Sequence, residues 1–378
     1  MGSNPVSVIH IAENKKGGVL EYISTIQKTS SLNHSVIVLG KSNEIQVSEL
    51  KAKIIYTDSF QNIHATSRKL THALKGCVDV VCHSELGLKL LALSNIYQNI
   101  TYVLHGNYEY YISAAIKYKP IISKFICVSR DIHTQLLQLF KKSKKTIEYI
   151  PQIVENIHQI EYLENNDNLE ILFVGRRTTE KGYEKLINID SHFSKNNVRC
   201  RFHIYGNGSE KYIYLQNDSV HYGHEEHSIL LKRLNRFKFI VSPSQFEGNP
   251  ISVIEAMKNG VVPICSELGE EQFQLLNNKS GVILKSSNGQ DYAIAIMEIW
   301  KNKNLYQEMS DNAKVRSNKF HDKFTTVEKF DSIIKNDTSN YISNISLKLN
   351  TLDKKYIPNI ATIILRKLFY NIRNIRIQ

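Results

Sequence analysis

The stretch Ser242–Gly260, SPSQFEGNPISVIEAMKNG, decides how the rest of the chain is read. The apolar run FKFIV (237–241) leads into it as a strand, and the Ser-Pro pair that follows is turn chemistry. Beyond the turn, Asn249 is placed to cap a helix, Pro250 suits a first helical turn where its missing N–H is no loss, and Gly260 stands where a left-handed residue ends one. Strand, turn and helix are therefore expected in that order. The backbone N–H groups of Gly248, Ile251 and Ser252 at such a start, with the positive end of the helix dipole, suit a phosphate. Glu247 in the turn and Glu255 in the helix flank it.

The same unit repeats on either side. VSVIHIA (6–12) is an apolar run followed by a loop with Gly17 and Gly18 and then a helical pattern from Val19. Further strand-length runs follow at 35–40, 53–57, 79–84, 100–106, 124–129 and 146–151, most of them separated by helical stretches. A polar, Asn- and Glu-rich segment then interrupts the pattern, which restarts at 169–175 and continues through 199–206, 219–224, 237–244, 261–266 and 281–285. Continuous apolar strands alternating with helices indicate parallel sheets covered on both faces. The expected architecture is α/β, two doubly wound Rossmann-like domains facing across a cleft. The expected bounds are 1–151 for the first domain, 152–168 for a linker and 169–320 for the second domain. A crossing helix at 321–336 and a basic extension at 337–378 complete the chain. A length of 378 residues fits two cores better than one.

Composition excludes several classes. Hydrophobic content of 42% and charged content of 22% are those of an ordinary globular chain. Five scattered cysteines, none in a CxxC pair, read as buried thiols of a reducing compartment. No apolar run reaches the length of a membrane span and no signal peptide is legible, so a cytoplasmic location is expected. The net charge of +12 favours an anionic partner, but no nucleic-acid-reading module accompanies it. Much of the surplus lies in 348–378, with seven Lys or Arg against one acid. Within 358–378, Ile360, Ile364, Leu368, Ile372 and Ile375 share one helical face, with Arg366, Lys367, Arg373 and Arg376 elsewhere. Such a helix is expected to lie on an anionic membrane surface, at the inner face of the plasma membrane; packing on the first domain is the alternative.

At the strand ends, Arg176 and Lys181 follow the strand LEILFVG in one loop, where a two-pronged guanidinium and a point-charge ammonium can hold a diphosphate. His105 follows the strand ITYVL; a lone histidine is more often a hydrogen-bonded structural residue, and its strand-end position raises the functional reading beside that one. Gly206 opens YGNGSEK, which lacks the third Gly of a dinucleotide fingerprint, and no P-loop, GxSxG elbow or HExxH is present. No Asp-x-Asp pair and no His, Cys, Asp cluster at ligand spacing occurs, so no metal and no cofactor are expected.

Taken together, E-x7-E from Glu247 to Glu255, FVGRRTTEKG, IYGNGSE, LHG and the early KKGG resemble a family 4 retaining glycosyltransferase of the GT-B fold, over about residues 6–335. The resemblance implies transfer of a sugar from a nucleotide-sugar, UDP- ahead of GDP-, to a saccharide or lipid-linked saccharide acceptor in surface polysaccharide synthesis, without a metal. It implies that Arg176 and Lys181 bind the diphosphate, Glu247 the donor sugar's hydroxyls and Glu255 the ribose. It further implies that His105 lies beside the reacting sugar and that Gly18 approaches the phosphates. Asn249 departs from the bulky apolar residue of many members, and Tyr108, Tyr110, Tyr111 and Tyr118 mark the expected acceptor side. A nucleotide-sugar epimerase of the same architecture and a non-catalytic sugar-nucleotide-binding subunit are the alternatives.

Overall fold

A computed structural model describes residues 7–14, 18–40, 52–57, 62–77, 79–94, 99–154, 168–208, 211–223, 225–245, 250–268, 279–285 and 288–336. The chain forms two compact units, one of residues 1–128, 132–150 and 327 onward, the other of 129–131 and 151–326.

The first unit is a seven-stranded parallel sheet. Its strands are β1 Ser7–Glu13, β2 Asn33–Gly40, β3 Ala52–Tyr56, β4 Asp79–Cys82, β5 Asn99–Leu104, β6 Lys124–Cys127 and β7 Thr146–Tyr149, in the spatial order β3-β2-β1-β4-β5-β6-β7. The helices α1 Gly18–Thr29, α2 Ile63–Ala73, α3 Glu85–Ser94, α4 Glu109–Tyr118 and α5 Arg130–Leu139 supply crossovers. β4 and β6 are buried at every position, as expected of strands covered on both faces.

The second unit repeats the plan with six strands: β8 Leu169–Val174, β9 Cys200–Tyr205, β10 Asp218–Gly223, β11 Phe239–Ser242, β12 Val262–Ser266 and β13 Val282–Leu284, ordered β10-β9-β8-β11-β12-β13. Its helices are α6 Lys185–Lys195, α7 His227–Arg233, α8 Ile251–Lys258, α9 Gly289–Lys301 and α10 Lys303–Phe320. Two apolar clusters cover the two faces. Ile171 and Phe173 of β8 enter one with Phe193 and Tyr292, while Leu172 between them enters the other with Ile254 and Met257, the alternation a pleated strand imposes.

Of the strand-turn-helix at 242–260, the end of the strand and the helix form, with one shift at the helix start, while 246–249 lie outside the described residues. Pro250, not Asn249, holds the N-cap position, and its carbonyl accepts from Val253 N at 3.0 Å and Ile254 N at 3.2 Å. A proline serves there because that residue's own N–H is not used by the helix. The end is as expected: Gly260 takes φ +79°, donating to Met257 O at 2.9 Å, and Val261 N reaches back to Ala256 O at 3.0 Å. These two bonds form a Schellman motif, and Val261 and Ala256 are both buried.

The expected linker starts on residues that already pack in the second unit. Gln152, Ile153 and Val154 are buried, His321 Nδ1 donates to Gln152 O at 2.9 Å and Lys258 Nζ to Val154 O at 3.1 Å. Residues 155–167 of that segment lie outside the described residues, as do 337–378. Before them, helix α11 Lys323–Lys335 leaves the second unit and ends in the first. Its last turn is held by Lys124 of β6, whose buried ammonium donates to Ile333 O at 2.8 Å, Ile334 O at 3.1 Å and Asn336 O at 2.5 Å. A cation at a helix C-terminus meets the negative end of the dipole and three carbonyls with no intrahelical partner. Lys124→Met should therefore destabilise the first unit by about 2–4 kcal/mol, since charge-assisted bonds are lost and buried acceptors are left unsatisfied. Urea denaturation followed by tyrosine fluorescence checks this, with the exposed Lys303→Met as a reference expected to stay within about 0.5 kcal/mol of wild type.

Candidate functional site

In each sheet the strand order reverses once, between β1 and β4 in the first unit and between β8 and β11 in the second. Loops leaving adjacent strands on opposite sides of such a reversal open a crevice at the carboxyl ends, and ligands of doubly wound sheets bind there.

In the second unit three loops are stitched together at that point. After β8, Gly175 N donates to Tyr205 O at 3.0 Å and Arg177 N to Asn207 O at 3.1 Å, which ties the loop to the one after β9. Gln245 N donates to Glu180 O at 2.8 Å and Lys185 Nζ to Pro243 O at 3.0 Å, which ties it to the loop after β11. Two glycines make this approach possible. A Cβ on Gly206, at φ +127°, would stand 2.1 Å from Gly175 O, and one on Gly182, at φ +67°, would stand 2.2 Å from Pro243 O. Gly206, expected among the nucleotide-sugar-binding residues, thus has a packing role in holding these loops together.

Arg176 and Lys181 sit in this turn. The Arg176 guanidinium is largely exposed and pairs with Glu180 at 3.0 and 3.2 Å, an i,i+4 pair of the kind worth at most about 1 kcal/mol. An anion could displace Glu180 cheaply. The neighbouring Arg177, by contrast, is buried with its guanidinium 4.0 Å over the Tyr212 ring, a structural cation–π contact.

Helix α8 starts beside these loops, with Ile251 and Ser252 ahead of the first residue that donates within the helix. Glu255 lies on its inward side with Val253, Ile254, Ala256 and Met257, and only 5% of it is exposed. One carboxylate oxygen accepts from His227 Nε2 at 2.8 Å. His227 opens α7 and was not singled out from the sequence; a histidine just before an apolar helical run was the only available signal. Gly17, Glu247, Gly248 and Asn249 lie outside the described residues, so four of the expected site residues have no position here.

In the first unit, His105 follows β5 and is not alone. Its Nε2 is 2.7 Å from His83 Nδ1; His83 Nε2 is 2.9 Å from His10 Nδ1; and His10 Nε2 is 2.9 Å from His34 Nδ1. The register explains the row. β2 His34 stands beside Val8, so His10 is two residues further along β1; His10 stands beside Val81, so His83 is two further past β4. Cys82 beside Tyr102 puts His105 two further again past β5. Steps of two keep every side chain on one face of the sheet, and the row slants toward the carboxyl end. Tyr22 of α1 packs edge-on to His83 and His105, and Phe330 of α11 lies against His10 and His34. Burial brings His105 down to about 3 and holds His10 and His83 well below the ordinary imidazole value, so these rings are neutral near pH 7. The four rings bond in series; among the described residues no three His, Cys, Asp or Glu side chains converge as a metal needs.

The tyrosines split by exposure. Tyr111 and Tyr118 are core residues of α4, whereas Tyr110 is 51% exposed and stacks with Tyr108 at 5.6 Å. The second unit holds a buried pair missed from the sequence, Glu170 Oε2 with His203 Nε2, continued from His203 Nδ1 to Tyr222 OH at 3.0 Å. Burial alone would raise the Glu170 carboxyl, but the bond to His203 outweighs it and holds it low. Glu170 is the second residue of β8, at the end of the sheet away from the site.

Residues 154–316 match the family described as glycosyl transferases group 1. The match spans less than half of the chain and falls within its second unit. The chain is 31% identical over 153 residues to a poly(ribitol-phosphate) alpha-N-acetylglucosaminyltransferase of Staphylococcus aureus, a match of 37% of this chain and 30% of the relative's own length. The structure of Anabaena Alr3699/HepE in complex with UDP and glucose superposes with a TM-score of 0.71 at 13% identity, covering 88% of this chain and 100% of that one. A glycosyltransferase from Rickettsia africae gives 0.70 at 16% identity, covering 89% and 100%. These likenesses show the GT-B fold for this chain. None of the five cysteines forms a disulfide, and among the described residues no helix is long and apolar enough to cross a membrane.

Proposed function

We propose that the chain is a retaining, metal-independent glycosyltransferase that moves a sugar from a nucleotide-sugar, UDP- ahead of GDP-, to a saccharide or lipid-linked saccharide acceptor in surface polysaccharide synthesis. The observation that carries this reading is the meeting, at the β8/β11 reversal, of Arg176, Lys181 and the start of α8 within loops bonded to one another. The names of the similar proteins, one an alpha-N-acetylglucosaminyltransferase and another crystallised with UDP and glucose, support the choice of donor.

When the bond between the anomeric carbon and the diphosphate breaks, positive charge grows on the sugar and negative charge on the leaving group. Arg176, Lys181 and the N–H groups at the head of α8 offset the latter, in the role a divalent cation plays elsewhere. The acceptor oxygen bonds to the anomeric carbon on the face the diphosphate leaves, and its proton passes to the leaving diphosphate. Glu255, steadied by His227, takes the ribose hydroxyls; Glu247 takes hydroxyls of the donor sugar. His105 faces the reacting sugar and Gly18 the phosphates. The basic segment 358–378 holds the protein to an anionic membrane surface at its cytoplasmic side, near a lipid-linked acceptor.

Lys181→Ala and Glu247→Ala should each lower transfer from UDP-sugar by about a hundredfold or more while leaving the melting temperature unchanged, since both act on charge and hydroxyls of the substrate. Retained turnover in both variants contradicts the reading, and conversion of the donor sugar with no acceptor present would favour the epimerase. Deleting 337–378 should lower co-sedimentation with liposomes containing phosphatidylglycerol, with UDP binding retained; unchanged sedimentation removes the membrane role.

A further inference from the structure

The histidine row ends on a carboxylate. His34 Nε2 is 2.7 Å from Ser30 Oγ, and Ser30 Oγ lies 2.7 and 2.8 Å from the two oxygens of Asp331 on α11. Ser31 adds its N–H at 3.1 Å and its hydroxyl at 3.0 Å to the same carboxylate. Burial would raise the Asp331 carboxyl, but the bonds from His34, Ser30 and Ser31 outweigh it and keep it ionised.

With one proton on each imidazole, proton counting has one solution. An ionised carboxylate only accepts, so the single Ser30 proton points at Asp331. Ser30 Oγ already accepts from Leu32 N at 2.9 Å, and its remaining lone pair must accept from His34, which fixes the His34 proton on Nε2. The reverse orientation would set three lone-pair oxygens against one another at 2.7–2.8 Å with no proton between them. With its single proton on Nε2, His34 offers Nδ1 as acceptor, so His10 donates from Nε2; by the same step His83 donates from Nε2 to His10 and His105 from Nε2 to His83.

We propose that Asp331, through Ser30, His34, His10 and His83, fixes the tautomer of His105, so that Nδ1 is presented as a lone pair that meets a hydroxyl donor of the sugar rather than a phosphate oxygen. The five residues behind His105 are positioning residues. The assignment to a sugar hydroxyl rests on the glycosyltransferase reading above; the tautomer does not. A chain of this kind is directional and cooperative, because reversing one ring requires reversing all.

The test is long-range 1H–15N correlation on the full chain labelled with 15N-histidine, read together with transfer kinetics. In wild type, His105, His83, His10 and His34 should all show protonated Nε2 and bare Nδ1. In His10→Phe, which keeps an aromatic ring against Phe330, His34 should keep its tautomer while His83 and His105 become mixtures. In Asp331→Asn, which keeps the side-chain volume, all four rings should become mixtures. Loss of a histidine's outer partner costs about 10- to 100-fold where it has been measured in metal sites, so kcat should fall about tenfold in both variants with KM for the donor little changed. A bare Nε2 on wild-type His105, or a His105 tautomer unmoved in both variants, overturns the proposal. If the rings behave as stated but kcat is unmoved, the link from tautomer to turnover is overturned. If wild type binds UDP-sugar and transfers nothing, it is the glycosyltransferase reading that fails, with the tautomer result standing.

Discussion

A doubly wound sheet has one place where the winding direction reverses, and nearly everything of chemical interest in this chain hangs on that constraint. The reversal lies between β1 and β4 in the first unit and between β8 and β11 in the second, in sheets that share the order third, second, first, fourth, fifth, sixth. Elsewhere each crossover helix covers the crevice that its neighbour leaves; at the reversal nothing covers it. The second unit fills the rim of that crevice with Arg176, Lys181 and the head of α8, held by backbone bonds among three loops. Glycines set the spacing, since any side chain at Gly206 or Gly182 would collide with a backbone carbonyl.

Each unit also carries buried polar groups, with different consequences. Glu170 and His203 hydrogen-bond one another at the far end of the second sheet and support packing. The four imidazoles of the first sheet meet a carboxylate at one end only, where His34 Nε2 lies 2.7 Å from Ser30 Oγ and 3.7 Å from Asp331, and His10, His83 and His105 bond ring to ring. A buried row of that sort needs a terminus that decides its direction, and Asp331 supplies one from the last ordered helix of the described chain. Helix α11 is itself held by Lys124, so a cation on β6 stands behind the anion that orients the histidines.

Much of this was legible beforehand. All thirteen strands coincide with apolar runs read from the sequence, because strands buried on both faces must be apolar at consecutive positions rather than alternate ones. The C-terminal cap at Gly260 was legible because the left-handed region leaves few residues to choose from. The N-cap was not: Asn249 is the better capping residue by type, but Pro250 holds the position through its carbonyl, which residue preference does not report. His105 was legible as a strand-end histidine. Its three partners were not, since His10, His34 and His83 are far apart in the chain and become neighbours only through the strand order and a two-residue slant in register. The Glu255–His227 contact was hidden for the same reason: it joins two helices that sequence spacing does not relate.

The central claim is that the diphosphate of a sugar nucleotide lands on the loops after β8 and β11. Amide hydrogen exchange of the full chain with and without saturating UDP tests it most directly. The account predicts slowed exchange in 175–182 and 243–256, with little change in 288–320. Exchange in those two segments that stays unchanged when UDP is bound would contradict it.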